Sequence, residues 1–174
     1  ISVSAFLLNR SSDLEIFWGE WPSNWFKCKF TVNHDGKELE FFNSEQYFMW
    51  MKAITFGDEE IAEQILQKCK NPKTAKALGR KVSNYDDNVW NEKRYQIMVD
   101  ANMFKYAQNP ELNYLILNPE FNGKHFVEAS PYDIVWGVGL GETSPIIDNE
   151  SNWKGQNLLG KVLDEVRNRL LSEL

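Results

Sequence analysis

Up to Phe42 the apolar positions come in short alternating runs; from Ser44 onward they recur mostly at the three- and four-residue spacing of helix faces. LEIFW (14–18) and KCKFTV (27–32) read as strands, the second placing Cys28, Phe30 and Val32 on one face. Asp35-Gly36 then supplies a tight turn, and ELEFF (38–42) returns as the other arm of a hairpin. Asn43 caps a helix through SEQYFMWMKAITF that stops near Gly57, with Gln46 completing a capping box. Asp58 caps a second helix (58–70), and Asn71-Pro72 opens a third. A long amphipathic helix is expected over 86–109, and Asn109-Pro110 opens a short one after it. HFVEAS (125–130) returns to strand, PYDIVWGVGLGETSP forms a loop, and a last helix lies near GQNLLGKVLDEVRNRLL. The pattern predicts an α+β fold over residues 1–174: one compact, mostly helical domain with a small N-terminal hairpin or sheet.

One stretch fits neither period. FWGEWPSNWF (17–26) puts five aromatic rings into ten positions, beside a Gly and a Pro. Seven Trp in 174 residues is high, and a flat apolar ring with one N–H serves a binding wall as well as a core. Phe17 and Phe26 are expected in the core.

Composition narrows the partners. A net charge of −6 gives no broad cationic surface for nucleic acid, although a local basic pocket for one phosphorylated ligand remains compatible with it. Two Cys and two His, without ligand spacing, predict neither a disulfide framework nor a metal site, and a reduced, cytoplasmic setting. No apolar run reaches the roughly 18 residues a spanning helix needs. The opening ISVSAFLLNRSSD lacks the basic stretch that begins a secretory signal.

Several residues carry candidate chemistry. Glu45, Phe48, Met49 and Lys52 share a helix face, with Glu45 and Lys52 about 10 Å apart along the axis. Both can point into one cleft; alternatively Glu45 serves the helix dipole and Lys52 is solvated. Asp133, between Tyr132 and Trp136 and followed by Gly137, Gly139 and Gly141, is either a turn cap or a tunable carboxyl in a partly dry pocket. Trp90 and Trp153 read as core or ligand wall; Arg80, Lys81, Arg94 and Lys105 as phosphate contacts or helix surface. The glycines match no dinucleotide fingerprint, because no strand–GxGxxG–helix context surrounds them.

Six segments in order, FWGEWPSNWF, FFNSEQYFMWMKAITFGD, PKTAKALGR, FKYAQN, FVEASPYDIVWGVGL and GQNLLGKVLDEVR, resemble the NADAR family across nearly the whole chain. The resemblance implies a mostly helical α+β enzyme, without cofactor, that hydrolyses a ribose C–N glycosidic bond. Known members act on phosphoribosylamino-pyrimidines of the riboflavin pathway or remove ADP-ribose from guanine in nucleic acid. By motif, Glu45, Lys52 and Asp133 correspond to the catalytic set, and Asn24, Trp90 and Trp136 to substrate contacts. Trp21, Gln46 and Arg80 join the expected substrate-binding residues. Two positions depart from the family pattern: Gln46 stands where His is common, and Met49 where Gln is common, which bears on substrate choice.

N-glycoside cleavage develops positive charge on the sugar, so Asp133 and Glu45 are expected to stabilise it and to activate water. Lys52 is expected to hold a phosphate or hydroxyl, or to attack C1′ of the opened sugar as a Schiff-base amine. Three functions remain distinct. They are a small-molecule N-glycosidase, a hydrolase of ADP-ribosylated guanine in nucleic acid, and a non-catalytic ADP-ribose or NAD-binding module. The expected partner is a small nucleotide-like substrate or, in the second function, ADP-ribosylated nucleic acid, with no membrane and no obligate protein partner.

Overall fold

A computed structural model describes residues 13–174. The N-terminal patch read above against a secretory signal lies outside these, except for Asp13. Among the described residues, three strands come first: β1 (Leu14–Phe17), β2 (Phe30–His34) and β3 (Lys37–Phe41). β2 and β3 form the expected antiparallel hairpin, with Phe30 opposite Phe41 and His34 opposite Lys37. Its turn places both Asp35 (φ 51°) and Gly36 (φ 77°) in the left-handed region, which Asp-Gly tolerates. β2 starts later than the sequence suggests, yet Cys28 still donates its N–H to the Phe42 carbonyl at 3.0 Å.

Helices α1 (Ser44–Thr55), α2 (Glu59–Lys68), α3 (Pro72–Gly79), α4 (Asp87–Gln108) and α5 (Pro110–Ile116) follow. Asn43, Asp58, Asn71 and Asp86 cap α1 to α4, each side-chain oxygen accepting a first-turn N–H. Strand β4 (His125–Glu128) and helix α6 (Leu158–Ser172) complete the order. The fold is α+β and mostly helical, as the pattern predicts.

The strands are arranged differently from an N-terminal sheet. β1 leaves the hairpin alone and pairs in parallel with β4, Ile16 opposite Val127, so two separate two-stranded sheets result. A parallel pair needs a long crossover, and here the intervening chain carries the hairpin and the first five helices. β4 ends at Glu128, two residues before the expected strand end. The chain beyond it folds back, with the Glu128 carbonyl accepting from both Ser130 and Val138.

α1 is the central helix, packed on α2, α3 and α4, and eight of its twelve residues are buried. Its approach to α3 depends on Gly79, where a Cβ would run into the Met49 side chain. A smaller apolar cluster, including Ile16, Val127, Val138 and Ile147, fills the space beside the parallel strands. Among the described residues, no helix is long and apolar enough to cross a membrane.

Candidate active site

The loop between β1 and β2 divides its rings between core and surface. Phe17 is buried, its ring edge-on to Phe126 at 6.5 Å. Trp21 packs on Tyr106, Phe121 and Phe126. Trp18 and Trp25 stay 47% and 45% exposed. Phe26 does not join the core as expected: it is 36% exposed, its ring 5.8 Å from the Lys105 ammonium.

α4 holds this loop in place. Lys105 is fully buried, and its Nζ donates to the carbonyls of Trp21 (2.7 Å) and Ser23 (2.9 Å). Burial drives its pKa down to about 7, with Cys28 acting weakly the other way. One turn earlier, Asn102 Nδ2 donates to Asn24 Oδ1 at 3.2 Å. Near the helix end, Asn109 donates to the Lys29 carbonyl at 2.9 Å. Lys105 therefore serves neither of the uses read from sequence, a phosphate contact or helix surface. It is a buried tether.

The tethered loop forms one wall of a cleft of about 760 Å³, within the usual size for small-ligand sites. Glu45 lies in it from the first turn of α1, its own N–H bonded to the Asn24 carbonyl at 3.1 Å. Asp133 enters from the loop after β4. Its Oδ1 accepts from the N–H groups of Val135 (2.9 Å) and Trp136 (2.8 Å), so it caps a turn and lines the cleft at once. A third carboxyl, Glu128, lines the same cleft from the end of β4.

Burial pushes the Glu45 pKa up to about 7. Lys76, a hydrogen bond from Trp25 and Arg80 pull it down, while Asp133 adds to the rise. Glu128 is pushed further, to about 8, first by burial and then by Asp133 and Glu45. Two carboxyls with pKa values raised toward neutrality, beside a third carboxyl, have the properties that proton transfer requires.

Cations and rings complete the lining. Lys52, Lys76, Arg80 and Arg94 all border the cleft. Lys76 and Arg80 are four apart on α3, and Gly79 lets that helix sit close enough to α1 to bring them in. Lys52 Nζ lies 4.4 Å from the centre of the Tyr85 ring and 5.8 Å from Trp90. Burial lowers its pKa, Asp87 opposes that, and Arg80 adds to it. Trp90 and Trp136 reach the cleft while also packing on Phe48, at 5.0 and 5.3 Å.

Seven of the nine residues expected at the site line this one cleft: Glu45, Asp133, Lys52, Asn24, Trp90, Trp136 and Arg80. Trp21 and Gln46 do not. Trp21 turns inward to the aromatic core. Gln46 is rotated about 100° from Glu45 around α1, toward α2. It is fully buried, donating to the Ile65 carbonyl and accepting from the Phe42 N–H. Of the two departures from the family pattern, only Met49 reaches the cleft. Sequence reasoning missed Glu128 and Lys76. The available cues were an acidic residue ending an apolar strand, and a cation one helical turn before Arg80.

Such a cleft, with carboxyls, cations and indole rings in its lining, has the chemistry to hold a polar, ring-bearing ligand. The chain belongs to the NADAR domain family, whose model matches residues 16–171. N-glycosidase R617 of Acanthamoeba polyphaga mimivirus is 38% identical over 146 residues, covering 83% of this chain and 84% of that protein. N-glycosidase YbiA of Shigella sonnei is 32% identical over 142 residues, covering 82% and 77%. The solution structure of Escherichia coli YbiA superposes with a TM-score of 0.70 at 27% identity, covering 99% of this chain and 95% of that one. By family, the chain is an enzyme of the N-glycosidase class, a hydrolase of glycosidic bonds.

Proposed function

We propose that the enzyme hydrolyses the C1′–N bond of a phosphoribosylamino-pyrimidine, releasing ribose 5-phosphate and the free amine. The observation that carries this reading is the convergence of Glu45, Glu128 and Asp133 in one cleft with four cations and several rings. The resemblance to riboflavin-pathway members supplies the pyrimidine.

The chemistry follows from the environments. As the C1′–N bond lengthens, its electron pair goes to the nitrogen and positive charge grows on the ribose ring. Glu128, protonated up to about pH 8, delivers a proton to the departing nitrogen. Glu45, ionised above about pH 7, takes a proton from the water that adds at C1′. Asp133, held by two backbone N–H groups, faces the developing cation. Lys76, Arg80 and Arg94 receive the phosphate, and Trp90 and Trp136 flank the flat ring. Lys52 either holds a substrate oxygen as an ammonium or adds to C1′ as an amine, which its depressed pKa favours. Borohydride separates the two uses. A reduced sugar adduct on Lys52 marks the amine route, and full turnover without one marks the contact role. The two free, buried cysteines fit the cytoplasmic setting expected from sequence.

A second reading, hydrolysis of ADP-ribosylated guanine, uses the same three carboxyls. The net charge of −6 weighs against a nucleic-acid partner. Mass spectrometry of both substrates offered side by side decides between them. Ribose 5-phosphate is expected; free ADP-ribose as the sole product would replace the first reading with the second. Binding of ADP-ribose with no turnover of either would make the chain a binding module.

A further inference from the structure

Beside the main cleft lies a second cavity of about 420 Å³, lined by Trp25, Lys27, Phe42, Lys70 and the start of α3. Trp25 belongs to both cavities. It is 45% exposed, its side chain reaches Glu45, and its backbone N–H donates to the Ser23 hydroxyl at 3.2 Å. An exposed indole bordering two cavities is a platform with ring surface still uncovered.

The floor and the charge of this cavity are also fixed. Asn43 Nδ2 donates to the Lys70 carbonyl at 3.0 Å, which pins the chain just before α3. Lys70 Nζ stands 4.5 Å from the centre of the Phe42 ring. Among the described residues, no Asp or Glu lines the cavity, in a chain with 25 acidic against 19 basic residues. Two rings and two ammonium groups, with no carboxylate, suit an aromatic heterocycle carrying a phosphate. The volume falls within the roughly 300–1,000 Å³ of small-molecule sites.

We infer that this cavity is an extension subsite for a second nucleotide unit of the substrate, its base against Trp25 and Phe42 and its phosphate on Lys27 and Lys70. The inference rests on the reading of the main cleft as a ribose-phosphate site. A compact substrate leaves the subsite empty, whereas one with two phosphates and two rings reaches across Trp25. The enzyme then accepts a compact substrate and holds an extended one more tightly.

Calorimetric titration with ribose 5-phosphate and with ADP-ribose, as compact and extended probes, tests this. ADP-ribose is expected to bind at least tenfold more tightly. In Lys27→Glu/Lys70→Glu that advantage should fall to about twofold or less, with ribose 5-phosphate affinity and pyrimidine turnover unchanged. Lys27→Gln/Lys70→Gln repeats the test should charge reversal disturb folding. An advantage that survives both variants, or no advantage in the wild type, including no binding of either probe, overturns the subsite. Turnover of the phosphoribosylamino-pyrimidine is measured in parallel. Its absence, with the advantage intact, overturns the compact substrate and leaves the subsite standing.

Discussion

Glu45 and Glu128 hold their protons to about pH 7 and about pH 8, and this gives the cleft both a sign and a pH window. The reaction needs Glu45 ionised and Glu128 protonated. The rate at saturating substrate should therefore rise as pH passes about 7 and fall as it passes about 8. Glu128→Gln should lower kcat by about a hundredfold or more and abolish the falling limb, since an amide cannot donate the catalytic proton. An unchanged profile in that variant would remove Glu128 from the chemistry. Stability provides a second check. A carboxyl whose folded pKa lies above its unfolded value of 4.5 costs nothing below that value and destabilises progressively as pH climbs toward its folded pKa. Glu45→Gln should therefore raise Tm by roughly 5 °C at pH 8 and leave it nearly unchanged at pH 4. Thermal melts at the two pH values read this directly.

Among the elements, α4 shapes the cleft through tethers such as Lys105, which sequence alone reads as a phosphate contact or helix surface. Lys105→Met should leave the Trp21 and Ser23 carbonyls without their donor and release the aromatic wall. A loss of tenfold or more in kcat/KM is expected, with far-UV circular dichroism retained and Trp fluorescence altered. The pH sign is opposite to that of the carboxyls. Burying the Lys105 ammonium costs most below about pH 7, and the cost is relieved as pH rises toward the ordinary lysine value of 10.5. The helix starts were legible because Asn43, Asp58, Asn71 and Asp86 act within one turn of themselves. The hairpin was legible because Asp35-Gly36 is a local signal. The pairing of Ile16 with Val127 was not, because nothing near either residue encodes a partner so far along the chain. The same limit hid Lys105. A lysine reads as solvated until the loop that surrounds it is in place. In the cleft, Glu45, Lys52 and Asp133 were expected from spacing and resemblance, while Glu128 needed the fold that brings the end of β4 to the same lining. Gln46 was misplaced because adjacent helix positions face different neighbours.

Across the whole molecule, charge is distributed unevenly. A chain of net charge −6 gathers Lys52, Lys76, Arg80 and Arg94 around one cleft, with Lys27 and Lys70 beside it. Phosphate binding at a partly open site is screened by salt, with a Debye length of about 10 Å at 0.1 M. KM for a phosphorylated substrate should rise severalfold between low salt and 0.5 M, while the dephosphorylated nucleoside shows little change. Equal salt responses would place the phosphate away from these cations. Cleavage of an N-glycosidic bond by the cleft carboxyls is tested by single-turnover release of ribose 5-phosphate from the phosphoribosylamino-pyrimidine. Wild type should release one equivalent, and Glu45→Gln should bind the substrate with similar affinity yet release it at least a hundredfold more slowly. Release at the same rate in Glu45→Gln, or none from the wild type, would contradict it.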